Sequence, residues 1–174
     1  MMNHPSNSAE MKAHELQAFA EQARAQAKVV LQKIPLLGAV AWLMMNHTAT
    51  RHTLLSELEW RVMPALALDQ AKIYMRDEAP VAYVSWAVLS PAVAERFASG
   101  RHQLMPSEWR SGGLEADGQA WIIDVMAPFG GTEQVLQELR AGPLAGHQVR
   151  QLLAVEASRP KVMHWPALVK EDGR

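Results

Sequence analysis

The chain has 174 residues, 49% hydrophobic and 20% charged, the size and balance of one globular domain with one core. Its 17 basic and 18 acidic residues leave a formal charge of −1, so no overall field draws it to nucleic acid or to an anionic membrane. The absence of cysteine excludes disulfides, thiolate metal sites and a cysteine nucleophile. The N-terminal text "MMNHPSNSAEMKAHELQ" lacks a basic stretch followed by an apolar core. The longest apolar run, "IPLLGAVAWLMM" at 34 to 45, falls short of the roughly 20 residues that a span needs. A cytoplasmic protein without a membrane span and without a metal site is expected.

From Ser8 to Lys33 the sequence is rich in Ala, Gln and Glu, with Leu16, Phe19, Ala23, Ala27 and Val30 near helical spacing. A helix is predicted there, ending at Pro35, with an apolar stripe thin enough to make residues 1–35 an extension of a domain at 36–174. A second helix over Leu36 to Met45 and a third over "TLLSELEWRVMPAL" are predicted, the latter capped by Thr53 and ended near Pro64. Between them lies a polar island, "MNHTATRH" at 45 to 52.

After Pro64 the apolar period changes to that of strands. "AKIYMR", the turn "DEAP" and "VAYVSWAVL" predict a hairpin whose second strand is buried. A short helix is expected near 91 to 98, and then a buried strand in "AWIIDVMAPF". "GGTEQVLQELRAG" predicts a helix capped at Thr132 and closed by Gly142, followed by strands in "QVRQLLAVE" and "KVMHW". Trp42, Trp86 and Trp121 are expected in the core. Met44, Met45, Met63, Met75, Met105 and Met126 are expected mainly there too, with an apolar channel as the alternative.

Three blocks, "LGAVAWLMMN", "PVAYVSWAVLS" and "WRSGGLEADGQAWIIDVMAPFGG", resemble the RTX toxin-activating lysine acyltransferases, typified by the hemolysin and adenylate cyclase toxin activators. The likeness covers roughly residues 36 to 165. It implies an α/β (α+β) fold similar to the GNAT acetyltransferases, with a mixed, mainly antiparallel sheet flanked by helices and an extra N-terminal helix. It also implies transfer of a fatty acyl group from acyl carrier protein to internal lysines of an RTX-type protoxin. The donor would be a phosphopantetheine thioester, and no cofactor would be bound permanently. A homodimer is allowed.

The resemblance assigns the family aspartate to Asp124 and the family arginine to Arg51, but it places Thr50 where the family histidine belongs and His47 on the family serine. Chemistry on a lysine amine needs a base, because an amine near pKa 10.4 is protonated at neutral pH, whereas an imidazole near 6.5 can accept its proton. Three readings stay open. His47 takes over from the position three residues on, His52 serves from a reorganised loop, or the chain is a catalytically degenerate binding module for a carrier or RTX-type partner.

Asp124, inside "WIIDVM", calls for a partner such as a histidine or an arginine, with Arg51 the named candidate. Gly130, Gly131 and Thr132, before a helix N-terminus, can meet the phosphate of the carrier arm or can simply cap that helix. Several activators carry a tyrosine where this chain has Ala71, and the nearby Tyr74 stands in a different register. Arg96, Arg101, Arg110, Arg140 and Arg150 are the candidates for a basic landing site for the acidic carrier.

Overall fold

A computed structural model describes residues 6–114, 117–153 and 160–168. The chain divides into two compact units between Ile34 and Pro35.

Helix α1 runs from Ser6 to Asn46 with Pro35 inside it. The predicted stop at Pro35 is therefore a correction: proline removes one backbone donor, but good helix formers on both sides carry the helix through. In the first unit Leu16, Phe19, Leu31 and Ile34 are exposed. In the second, Val40, Leu43 and Met44 are buried against Leu58, Val62, Leu66, Tyr83 and Met126. Their spacing is that of one helix face.

The third predicted helix is broken into a 3₁₀ turn at Leu55–Glu57, α2 at Leu58–Arg61 and α3 at Met63–Ala67. Leu54, not Thr53, flanks the 3₁₀ turn, and Pro64 lies in the first turn of α3 rather than at a helix end, a position where its missing N–H costs nothing. Leu54 and Leu55 are exposed, while Leu58 and Val62 supply the buried face.

The sheet has strand order β1-β2-β3-β4-β5, with β1 at Ala71–Arg76, β2 at Ala79–Leu89, β3 at Gln119–Met126, β4 at Val149–Leu153 and β5 at Lys161–Trp165. All neighbours are antiparallel except β3 and β4. α4 covers Pro91–Ala98, and α5 covers Thr132–Ala141 on the β3–β4 crossover. This mixed sheet with helices is the expected architecture, compatible with a GNAT-like fold.

Alternation along β2 divides the core. Ala82, Val84 and Trp86 pack with Ala120, Ile122 and the α5 residues Val135, Leu136 and Leu139 on one face. Tyr83, Ala87 and Leu89 occupy the other, under α1, α3 and α4. Trp86 and Trp121 are buried as expected, but Trp42 is 39% exposed and stacks on Phe129 at 5.5 Å. Met44 and Met126 are core, whereas Met45, Met75 and Met105 are exposed.

Candidate active site

The ladder between β2 and β3 shifts register after Ser85. Ser85 pairs with Asp124, but Trp86 pairs with Ile122, so Ile123 is an extra residue in β3. Without this bulge, Asp124 and Met126 would share a face with Ala120 and Ile122 and point toward α5. With it they lie beside Ser85 and Tyr83, under α1 and α2.

There the Asp124 carboxylate, 8% exposed, is gripped by Arg61 of α2, with Nε donating to Oδ2 at 2.8 Å and Nη2 to Oδ1 at 2.6 Å. The need for a cation beside this aspartate is met, but by Arg61 rather than by Arg51. The carboxylate's hydrogen bonds hold the Arg61 guanidinium more firmly protonated than usual, outweighing the opposing effect of burial. The hydroxyls of Tyr83 and Ser85 are buried on the same face without a hydrogen-bond partner among the described residues. Burial pushes the Tyr83 phenol well above its ordinary range, so it remains a neutral O–H.

The island is a turn after α1. Thr50 is 4% exposed, and its hydroxyl donates to the Met44 carbonyl at 3.1 Å and touches Met126 Sδ at 3.7 Å. Its oxygen also lies 3.4 Å from His47 Nδ1. His52 Nε2 accepts from Arg51 Nε at 3.1 Å on the exposed side. Neither histidine hydrogen-bonds to Asp124, whose carboxylate oxygens are taken by Arg61. The island borders a cleft of about 200 Å³ with an apolar lining that includes Ala41, Met44, Met45, Leu55 and Leu58.

The parallel ladder between β3 and β4 spans only Ala120 to Ile122, so the β4 side of residues 123 to 126 is unpaired by strand among the described residues. β3 then leads to Gly130 and Gly131, both in the left-handed region at φ 95° and 85°, with open space where a side chain would stand. Gly131, not Thr132, occupies the cap of α5.

Four of the five arginines suggested as a landing site have partners within the chain. Arg96 binds Glu108, Arg110 binds the Leu68 carbonyl, Arg140 binds the Pro166 carbonyl, and Arg150 lies over Trp121.

A second polar group centres on Glu108, which lies outside the residues that the sequence singles out. Glu108 accepts from Arg96 Nη2 at 2.8 Å and from the Met105 amide at 2.9 Å, and it bonds His102 Nε2 at 2.8 Å. The Met105 amide, with His102 and Arg96, holds the Glu108 carboxyl at about 2, below the usual carboxylate range, against the opposing effect of burial. The available signal was a glutamate two residues after a proline, a turn-capping pattern, with a histidine six residues ahead in "HQLMPSE".

The RTX toxin acyltransferase family profile matches residues 29–166. The chain is 31% identical over 130 residues to a leukotoxin-activating lysine-acyltransferase of Pasteurella haemolytica-like sp. (strain 5943B), covering 75% of this chain and 76% of the relative. It is 34% identical to an RTX-II toxin-activating lysine-acyltransferase of Actinobacillus pleuropneumoniae over 60% of this chain and 62% of that one. A protein-lysine myristoyltransferase of Kingella kingae is 31% identical over 63% of each chain. The match thus spans less than two thirds of the second and third relatives.

Proposed function

This chain belongs to the RTX toxin acyltransferase family, and from that membership we propose that it is a protein-lysine acyltransferase, moving a fatty acyl group from acyl carrier protein to internal lysines of an RTX-type protein. The observation that carries the reading is the short ladder between β3 and β4, which ends before Asp124 among the described residues. There a stretch of β3 with no β4 partner among the described residues leads directly to the Gly130–Gly131 turn and the N-terminus of α5.

An extended phosphopantetheine arm carries amides that pair with an exposed strand edge and a phosphate that suits free amides at a helix start. Thr132 adds a hydroxyl at that start. The cleft beside Thr50 and Arg51, lined by Met44 and Met45, suits an acyl chain, since thioethers adapt to irregular apolar shapes. The acceptor amine attacks the thioester carbonyl carbon, the C–N bond forms as the C–S bond breaks, and the arm leaves as a thiol. The test is incubation of the purified chain with acyl-loaded carrier and an RTX-type acceptor, reading the acceptor's intact mass. A carrier-dependent gain of one acyl mass is expected, and no gain with any acyl chain overturns the reading.

Two observations favour a second reading, a carrier- or RTX-binding module without chemistry. Thr50 fills the place of the family histidine and is buried, and Asp124 is engaged by Arg61. Binding of carrier or acceptor without mass gain would identify it.

A further inference from the structure

A cleft of about 310 Å³ lies on the same sheet face as Asp124, with walls that include Trp60, Arg61, Phe97, His102, Trp109 and Ile123. It adjoins the Asp124 site through two of these residues: Arg61 holds the Asp124 carboxylate, and Ile123 is the bulged residue next to it. Trp109 is 1% exposed, and its indole Nε1 has no hydrogen-bond partner among the described residues.

The three histidines near this face differ in what they touch. His52 sits against the guanidinium of Arg51, and His47 against the neutral hydroxyl of Thr50. His102 holds the carboxylate of Glu108 at 2.8 Å, through Nε2. That bond orients the ring, and Nδ1 has no protein partner among the described residues. This is the arrangement of a histidine base steadied by an acid.

We propose that this cleft receives the acceptor lysine and that His102, positioned by Glu108, is the base that takes its proton. The inference rests on the acyltransferase reading and deepens it, because it supplies the base that Thr50 cannot. The four lysine methylenes lie against Trp60, Phe97 and Trp109, and the amine reaches Nδ1. The ammonium first releases one proton to solvent through Nδ1, the neutral nitrogen then gives a second proton to Nδ1 as it bonds to the thioester carbon, the C–S bond breaks, and the released thiolate takes that proton from the imidazolium. The charged groups facing His102 are Glu108, with Arg96 behind it, Arg101 on its own loop, and Arg61 on the cleft wall already neutralised by Asp124.

The variant His102→Gln separates chemistry from structure, since a glutamine amide can still donate to Glu108 and keep the loop tied. It is expected to melt within a few degrees of wild type, to lose about 10²- to 10⁴-fold in kcat, and to lose the acid limb of the pH–rate profile. Glu108→Gln, a positioning change, is expected to move that limb while leaving KM for the carrier in place. An unchanged rate in His102→Gln, or a loss confined to His47→Ala or His52→Ala, overturns the proposal. If wild type transfers no acyl group, the acyltransferase reading falls by itself. The cleft is then read with n-butylamine, by nuclear magnetic resonance of the His102 ring and the Trp60 and Trp109 indoles. Saturable shifts at all three support an amine site, and their absence at every tolerated amine concentration overturns it.

Discussion

Asp124 and Arg61 are 63 residues apart in the chain and meet through two hydrogen bonds. Arg61→Leu leaves a carboxylate that is nearly buried without its counter-charge. Because the Arg61 side chain keeps 24% exposure, the expected loss lies between the values for exposed and fully buried pairs, at roughly 2 kcal/mol in urea unfolding. Adding Asp124→Leu should recover most of it, and a double variant as unstable as the single one would show that the aspartate's cost lies elsewhere. The demand for a cation is legible in "WIIDVM", because an acid among apolar residues must be compensated. Which cation is not legible: Arg51 stands at the place of the family arginine, whereas Arg61 reaches Asp124 only once α2 packs over the bulge. Glu108 supplies a pH test. Its folded pKa of about 2 lies below the ordinary 4.5, so its contribution to stability is complete above 4.5 and is lost as pH falls toward 2. The difference in thermal midpoint between wild type and Glu108→Gln should therefore shrink across that window, and a constant difference would deny Glu108 its ties.

The hairpin, α4, β3 and α5 are readable from the sequence because alternation, proline and glycine signals agree along each of them. The elements around the island are less so. Pro35 reads as a stop but sits inside α1, and "TLLSELEWRVMPAL" reads as one helix but breaks into three pieces, because packing onto Tyr83 and Met126 overrides local preference. The bulge at Ile123 has no sequence signal at all, yet it decides which face Asp124 occupies. The hairpin turn carries a local strain that sequence chemistry does expose. Asp77 and Glu78 both adopt positive φ, 48° and 66°, in a two-residue connection that favours Asn-Gly. Left-handed backbone costs a non-glycine residue about 1 to 2 kcal/mol, and glycine gives back part of that gain as chain entropy. Glu78→Gly is thus expected to stabilise by up to about 1 kcal/mol and to raise the thermal midpoint by about 2 to 4 °C. A lower midpoint would mean that the Glu78 side chain contributes more than its backbone costs.

At the scale of the molecule, the division between Ile34 and Pro35 gives a direct experiment. Removing residues 1 to 33 leaves Pro35 close to the new helix start, where proline is well tolerated. The remaining chain should fold with a similar thermal midpoint and keep its near-ultraviolet circular dichroism. Aggregation would show that the first unit completes the fold. One helix, over His14–Asn46, is long and apolar enough to cross a bilayer by length and composition. However, Val40, Leu43 and Met44 are buried in the protein core, and the stretch before them carries Glu15, Glu21, Arg24, Lys28 and Lys33, each costly in hydrocarbon. The short ladder between β3 and β4 has a consequence for how the molecule trades protons with its solvent. In heavy water, amides of residues 123 to 126 that face away from β2 should take up deuterium far sooner than those in the closed stretch at 120 to 122. A pantetheine arm lying along that edge would cover them, so a slowing of uptake confined to this half of one strand would be the trace of the donor in its groove.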